Sequence, residues 1–267
     1  MKRMIHTSLL LALALKIVAV PVAAAAPTAL TPLAHIEANM RAEASRDETT
    51  RVTITLKNAQ GKVQERILHW TTVTLANDDK RSLLYFDRPK SIEGTGLLTH
   101  ENKGKEDERW LYLPALQKTR RISGSDKSDT FMGTDFSYED LVTEEPENYD
   151  YAFAEASDCT GCVAIIATPK NEKEKAESGY AKRVLMLDTT THMVVAAEYY
   201  NKSGTHAKSF RASDFRPVNS AGAIRPFRME MVDLINQHTT VMAFDGYQID
   251  TGVVADSISL RSLTQVR

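Results

Sequence analysis

The sequence lacks the patterns that usually mark a catalytic or nucleic-acid-binding protein. Its seven histidines show no His-x-His or His-Glu-x-x-His spacing, so zinc chemistry has no support. No Gly-x-Ser-x-Gly elbow occurs, and Gly94-Thr-Gly96 lacks the rest of a nucleotide-binding loop. The formal net charge is −2, without the basic excess that a nucleic-acid-binding surface requires. We therefore predict no enzyme activity, no metal or other cofactor and no nucleic-acid partner.

Long apolar runs are also absent, except at the N-terminus. There, Lys2 and Arg3 precede an apolar run over residues 9–20, and four alanines follow at residues 23–26. This order is typical of a secretory signal peptide, which we expect to be cleaved after Ala25. No cysteine lies near the junction to carry a lipid anchor, and the remaining chain is not expected to span a membrane.

Cleavage would remove three cations and take the formal net charge from −2 to −5. A mildly acidic charge is ordinary for a secreted protein. No internal repeat or composition shift marks a linker. We therefore predict a signal peptide over residues 1–25 and a single domain over residues 26–267.

Cysteine is scarce, since only Cys159 and Cys162 occur. An exported chain meets an oxidising compartment, which favours a local disulfide between them. The alternative is a thioredoxin-like redox pair, which requires the first cysteine at the N-terminus of a helix. Residues 163–167 instead form an apolar, β-like run, so a structural disulfide is the preferred interpretation.

The hydrophobic pattern predicts a mainly β (α+β) fold. One helix is expected over residues 30–47, with Thr31 as cap and Pro32 at its first position. A loop is expected over residues 123–133 and a short helix over residues 137–142. Alternating apolar residues and turn signals favour strands elsewhere. The predicted strands are 51–56, 62–75, 81–87, 97–98, 109–113, 117–123, 149–155, 163–168, 180–188, 193–201, 206–215, 227–234 and 239–248.

These segments predict a large curved antiparallel sheet. Such a sheet must close, pair with another sheet or cover its concave face. The two predicted helices are the candidate covers. If they cover the face incompletely, an apolar cavity remains, and half-barrels of this kind are suited to hold acyl chains.

The segment from Asp87 to Leu141 carries a distinctive order of Gly, Pro and Asp between short apolar strands. It resembles the LolA-like family of outer membrane lipoprotein-sorting proteins, and a weaker likeness continues from Tyr149 to about Ser262. The motifs that carry the resemblance are Asp87-Arg-Pro-Lys-Ser-Ile-Glu-Gly94-Thr-Gly96, Arg109-Trp-Leu-Tyr-Leu-Pro114 and Phe131-Met-Gly-Thr-Asp135-Phe-Ser-Tyr138-Glu-Asp140-Leu141.

The resemblance implies an unclosed β-barrel with a helical lid over a hydrophobic cavity, in a periplasmic protein. It implies a carrier that moves the acyl chains of a lipid or lipoprotein from an inner-membrane donor to an outer-membrane acceptor. The motifs match a branch that is often paired with lipid exporters of the resistance-nodulation-division (RND) type, so we expect such an inner-membrane transporter as partner. The cargo stays open among lipoprotein, phospholipid, hopanoid and other amphiphiles. The alternatives are a periplasmic sensor or adaptor that binds a membrane protein partner, and a thiol enzyme.

Eleven residues are candidates for the cavity lining. Alternation places Trp110 and Tyr112 on one face of their strand and Leu111 and Leu113 on the other, without showing which face borders the cavity. Ordinary core packing is the alternative role for the aromatic residues among them. The candidates are Trp70, Leu84, Phe86, Leu98, Trp110, Leu111, Tyr112, Leu113, Phe136, Tyr138 and Leu141.

Three predictions concern charged residues. Arg120 and Arg121, with Lys118, are candidates to contact a head group or a partner, or else protect a strand edge by charge. Asp135 is expected to cap the short helix. The charge run over residues 170–178 is expected to be a solvated surface.

Overall fold

A computed structural model describes residues 30–155 and 159–265, so the predicted signal peptide over residues 1–25 lies outside the described residues. Thirteen strands dominate the fold. They are β1 (Asp47–Lys57), β2 (Val63–Thr74), β3 (Lys80–Arg88), β4 (Gly96–Glu101), β5 (Glu108–Leu113), β6 (Lys118–Ile122), β7 (Tyr149–Phe153), β8 (Cys162–Pro169), β9 (Tyr180–Asp188), β10 (Val194–Asn201), β11 (His206–Pro217), β12 (Ile224–Asp233) and β13 (His238–Ile249).

All thirteen strands belong to one antiparallel sheet. Its order is β6-β5-β4-β3-β2-β1-β13-β12-β11-β10-β9-β8-β7, so pairing of β1 with β13 joins the first and second halves of the chain. In the part of the chain that the structure describes, no ladder joins the edge strands β6 and β7. The sheet is therefore curved but unclosed, which confirms the predicted fold class.

Three α-helices occur within the described ranges: α1 (Pro32–Glu43), α2 (Glu172–Glu177) and α3 (Leu260–Gln265). The Thr31 hydroxyl accepts a hydrogen bond from the Ala34 amide at 3.2 Å, and Pro32 begins α1, as predicted. None of these helices is long and apolar enough to cross a membrane.

The concave face of the sheet carries the main hydrophobic cluster. Alternate residues of neighbouring strands point to it because side chains alternate along a strand. Val52, Ile54 and Met231 are completely buried within it. Residues 123–148, here called the roof segment, connect β6 to β7 and cover this face with three buried aromatic side chains: Phe131, Phe136 and Tyr138.

The opposite, convex face of β2–β5 is covered by the C-terminal segment. Leu263 of α3 and the preceding Ile258 are buried there against Val73, Leu83 and Leu98. Gly96 of β4 permits this close approach, since a Cβ atom at that position would lie 2.8 Å from a methyl carbon of Leu263. Side chains of β2, β4 and α3 thus pack together in one hydrophobic cluster.

Leu263→Ala is expected to lower the free energy of unfolding by about 2–5 kcal/mol, because it leaves a cavity at a fully buried position. Leu260→Ala is the matched control: Leu260 lies on the same helix but is 47% exposed, so a change within about 0.5 kcal/mol is expected. Urea titration of both variants measures the difference. Equal effects of the two substitutions would show that α3 does not dock in this way.

Three local expectations need correction. The short helix predicted over residues 137–142 is a single 3-10 turn at Glu139–Leu141. Asp135 does not cap it, because the Asp135 carboxylate accepts a hydrogen bond from the Thr240 hydroxyl on β13 instead. The charge run over residues 170–178 is only partly solvated, since Glu174 is buried and bonded to other elements.

Candidate functional site

The roof segment fills the concave face with aromatic contacts. The Phe131 ring stacks on Phe86 of β3 with 5.8 Å between centroids, and meets Tyr138 edge-on at 5.9 Å. Phe136 meets Phe210 of β11 edge-on at 6.4 Å. The roof therefore touches both halves of the sheet through apolar surface, which is the kind of contact that another apolar molecule can replace.

A tight turn presents these aromatic side chains. The Phe131 amide donates to the Phe136 carbonyl at 2.8 Å, and the buried Thr134 hydroxyl donates to the Phe131 carbonyl at 2.8 Å. Both Met132 and Gly133 have positive φ angles, 51° and 72°. Glycine adopts such an angle without strain, which suits Gly133 to this turn. The turn over residues 131–136, here called the roof tip, is therefore stabilised by its own hydrogen bonds.

The roof tip is attached to the sheet by a few polar contacts. The Asp135 amide donates to the Thr240 hydroxyl at 2.9 Å, and that hydroxyl donates to the Asp135 carboxylate at 2.6 Å. Burial raises the pKa of Asp135, while the Thr240 hydrogen bond opposes this shift. The Arg66 guanidinium on β2 donates to the Met132 carbonyl.

A second attachment lies around Asp140. Its carboxylate accepts hydrogen bonds from the Ser137 amide and hydroxyl, both at 2.7 Å, and from the Tyr180 hydroxyl at 2.9 Å. The Lys208 ammonium donates to the same Tyr180 hydroxyl at 3.0 Å. Burial and the nearby Asp140 charge raise the pKa of Tyr180 well above its usual value, so Tyr180 stays neutral and can donate.

Further attachments lie near β7. Glu144 of the roof pairs with Arg183 of β9 and accepts a hydrogen bond from Tyr151. The Lys127 ammonium donates to Glu174 of α2 at 2.8 Å. Charged and polar contacts of this kind fix the position of the roof, and they gain little net stability over hydrated groups.

Glu139 is a roof residue that we expect to make stability depend on pH. Burial and then the Asp140 charge raise the pKa of Glu139 above 4.5, although its carboxylate accepts a hydrogen bond from the Gly179 amide at 2.7 Å. A raised pKa in the folded state means that its stabilising contribution is complete below about pH 4.5 and is lost as the pH rises through the folded-state pKa.

Glu139→Gln is therefore expected to flatten the decline in the free energy of unfolding between pH 5 and about pH 7.5, because the amide does not ionise. Urea titrations of the original protein and the variant at both pH values measure this. Parallel pH profiles would contradict the assigned role of Glu139.

The structure separates the predicted cavity residues into two groups. Leu98, Trp110 and Tyr112 belong to the convex cluster beneath the C-terminal segment, so we leave them out of the candidate site. The other eight contribute to the concave cluster beneath or within the roof. They are Trp70, Leu84, Phe86, Leu111, Leu113, Phe136, Tyr138 and Leu141.

Sequence reasoning missed the contribution of the second half of the chain to this face. Met231, Met242 and Phe244 are buried in the same cluster, and Phe210 and Met229 are partly buried against it. The apolar alternation along β12 and β13 indicated that each strand has one buried face. It did not indicate that β13 pairs with β1 and so brings this face to the same cluster. Leu68 and Phe131 also belong to the concave cluster.

The basic residues Arg120 and Arg121 lie on the edge strand β6, where both are exposed and paired. Arg120 lies 3.2 Å from Asp126, and Arg121 lies 3.4 Å from Glu108. Lys118 on the same strand is exposed. Contact of Arg120 and Arg121 with a head group or a partner stays a prediction.

The concave face is closed in this structure. Two cavities around described residues, of about 130 Å³ and about 460 Å³, lie near the roof, and both are bordered mainly by polar residues. Within residues 30–155 and 159–265, no group of three or more His, Cys, Asp or Glu side chains is placed to hold a metal ion. An apolar ligand would have to take the place of roof side chains.

Cys159 and Cys162 form a disulfide immediately before and at the start of β8. A strand, rather than a helix, follows Cys162. The helix dipole that lowers the pKa of the attacking thiol in redox pairs is therefore missing at this position. The arrangement favours a structural role for the disulfide.

Comparisons with known proteins agree with this fold. A family model described as "Uncharacterized protein" matches residues 78–265. An outer membrane lipoprotein-sorting protein domain from Vibrio parahaemolyticus is 26% identical, with a TM-score of 0.80, covering 88% of this chain and 98% of that chain. A DUF1329 family protein from Desulfovibrio piger is also 26% identical, with a TM-score of 0.79, covering 88% of this chain and 100% of that chain.

A LolA superfamily protein from Nitrosomonas europaea shares the fold at 17% identity, with a TM-score of 0.67, covering 88% of this chain and all of that chain. No curated protein matched the sequence. The family model covers more than half of the chain, and the solved structures share its open sheet across nearly their whole length. The chain therefore belongs to the family that this model describes, and it shares the fold of an outer membrane lipoprotein-sorting domain and of a LolA superfamily protein.

Proposed function

We propose that this protein is a periplasmic carrier that holds the acyl chains of a lipid or lipoprotein on the concave face of its half-barrel. The observation that carries the proposal is the aromatic roof. Val52, Ile54 and Leu68 are buried on an apolar face of the sheet, and the aromatic side chains of a connecting segment cover it there. Helix α1 packs farther along the sheet, against Ile165 of β8 and Leu187 of β9.

Binding replaces roof contacts with lipid contacts. Each methylene group moved from water to this face gains about 0.8 kcal/mol, so one acyl chain offers enough free energy to displace several aromatic side chains. The roof then leaves through rupture of a limited set of polar contacts, at Asp135, Asp140 and Glu144. No covalent chemistry is required.

Transfer follows from this exchange. An inner-membrane donor, which we propose is a transporter of the RND type, delivers the acyl chains to the opened face. An outer-membrane acceptor withdraws them, and the roof closes again behind the chains. A closed roof shields the apolar face of the empty carrier from water, so the protein need not aggregate between deliveries. Modest differences in affinity are sufficient to set the direction.

The outer membrane lipoprotein-sorting domain from Vibrio parahaemolyticus supports this proposal through its likeness across nearly its whole length. The experiment is native mass spectrometry of the protein purified from a periplasm, followed by organic extraction and identification of the lipids. We expect a reproducible amphiphile that is lost in Leu111→Asp, which places a carboxylate on the concave face.

Leu116→Asp is the control, because Leu116 is 62% exposed at the turn between β5 and β6 and lies outside the concave cluster. It should keep the amphiphile. If the original protein carries no amphiphile and takes up no added fluorescent lipid, while retaining a stable protein partner, the carrier proposal fails in favour of an adaptor.

A further inference from the structure

A basic cavity opens where the roof tip meets the ends of β1, β2 and β13. It has a volume of about 130 Å³ and is bordered by Lys57, Lys62, Arg66 and His238. The strand register brings these residues together. Lys57 of β1 pairs with Val63 of β2, which follows Lys62, and with Thr239 of β13, which follows His238. Arg66 pairs with Ile54 on the same two strands, β1 and β2. Alternation places Arg66, the partner of Ile54, and His238, two residues before Thr240, on the concave face. Lys57 and Lys62 border the same space, which can hold a small anionic group.

These basic groups are not neutralised by neighbouring carboxylates. Among the ion pairs formed by described residues, none includes Lys57, Lys62 or Arg66. The half-buried Arg66 guanidinium has five N–H donors, and its hydrogen bond within the described residues goes to the Met132 carbonyl. A partly desolvated guanidinium with unused donors favours binding of a bidentate anion.

The one acid that borders the cavity is Asp135, and it is already engaged. Its carboxylate accepts the Thr240 hydroxyl hydrogen bond at 2.6 Å. Leu56 also borders the cavity and packs against the concave cluster. The basic cavity is therefore continuous with the apolar face, which is the arrangement that an amphiphile with an anionic end requires.

We propose that this cavity binds the phosphate head group of an amphiphile whose acyl chain lies on the concave face. The proposal rests on the carrier function, and it narrows the cargo to phosphate-bearing lipids. Arg66 and Lys62 contact the phosphate oxygens, and His238 lies on the opposite wall. Because Arg66 also holds the Met132 carbonyl, a head group that engages Arg66 competes directly with closure of the roof.

Titration calorimetry with three probes tests the proposal: lysophosphatidic acid, a monoacylglycerol of the same chain length, and inorganic phosphate, the lipids being kept below their micelle-forming concentrations. We expect lysophosphatidic acid to bind at least about tenfold more tightly than the monoacylglycerol, since charge-assisted hydrogen bonds distinguish the two. The double variant Lys62→Gln/Arg66→Gln should abolish this ratio. Because the ratio compares two lipids in the same variant, a change in roof docking affects both lipids alike and cancels. Glutamine keeps an amide donor for the Met132 carbonyl.

Arg51→Gln is the matched control. Arg51 is exposed on β1 and points away from the concave face because it adjoins Val52 in sequence. It should leave the affinity ratio intact. A loss of the ratio in this control as well would overturn the assignment to the cavity.

The outcomes separate the two proposals. Equal binding of both lipids by the original protein overturns the head-group site and leaves the carrier function standing. If only inorganic phosphate binds, and the double variant loses this binding, the cavity is a site for free phosphate. That result overturns both the head-group proposal and the carrier function. Binding of none of the three probes overturns both proposals.

Discussion

The double variant Asp135→Cys/Thr240→Cys is expected to lose lipid uptake when oxidised and to recover it when reduced. The two positions lie on the roof tip and on β13, with the Asp135 amide 2.9 Å from the Thr240 hydroxyl oxygen. A disulfide between them would tie the roof to the sheet, and the two hydrogen bonds between these residues show that their side chains lie next to each other. Uptake of a fluorescent lipid should fall by more than about a hundredfold, because a tethered roof cannot leave the apolar face.

The native disulfide requires a control. Cys159 and Cys162 lie just before and at the start of β8, and four strands separate β8 from β13, which carries residue 240. The original protein, treated with the same oxidant and reductant, should take up lipid equally in both states. Mass spectrometry under non-reducing conditions verifies the engineered crosslink. Unchanged uptake by the verified, oxidised variant would show that lipid does not enter beneath the roof.

Phe131→Ala and Leu68→Ala are expected to change lipid affinity in opposite directions. Both side chains are 1% exposed within the same concave cluster, but Phe131 belongs to the roof and Leu68 to the sheet. Removing the Phe131 ring weakens roof docking by about 3–5 kcal/mol. Since lipid must displace the roof, its apparent affinity should rise, with an upper limit between about a hundredfold and a few thousandfold.

Leu68→Ala removes part of the surface that both the roof and the lipid contact. It should lower the free energy of unfolding by about 2–5 kcal/mol and weaken lipid binding. Fluorescent-lipid titration and urea unfolding of the two variants give both quantities. If both substitutions weaken binding, the roof contributes to the lipid site instead of competing with the lipid for it.

Much of the sheet was predictable because its strands carry local signals. The turn at Lys202–Gly204 and the apolar alternation of Val52, Ile54 and Leu56 indicated individual strands and hairpins. The N-terminal helix was equally clear, since Thr31 and Pro32 mark its start. These features depend on neighbours a few residues apart, which a sequence displays directly.

The identity of the concave face was not predictable from the strands alone. Along β5, Trp110 and Tyr112 alternate with Leu111 and Leu113, and both faces are apolar because both are covered. The cover on the convex face comes from residues 253–263, about 150 residues later in the chain. Such a distant contact leaves no periodic signal within β5.

The roof was hidden for a different reason. Its apolar residues Phe131, Phe136, Tyr138 and Leu141 follow neither a helical nor a strand period, and they lie among polar residues and glycine. The pattern therefore indicated a loop with a short helix. Tertiary contacts with Phe86 and Phe210 hold the segment in place.

Hydrogen–deuterium exchange with and without bound lipid shows whether lipid displaces the roof. We expect lipid to increase amide exchange across residues 130–137 of the roof, where the Phe131 amide is bonded to the Phe136 carbonyl and the Asp135 amide to Thr240. We also expect slower exchange in β1, β2 and β13, whose concave face the lipid covers. Increased protection of the roof on lipid binding, with no change in these strands, would contradict displacement of the roof and place the lipid elsewhere on the molecule.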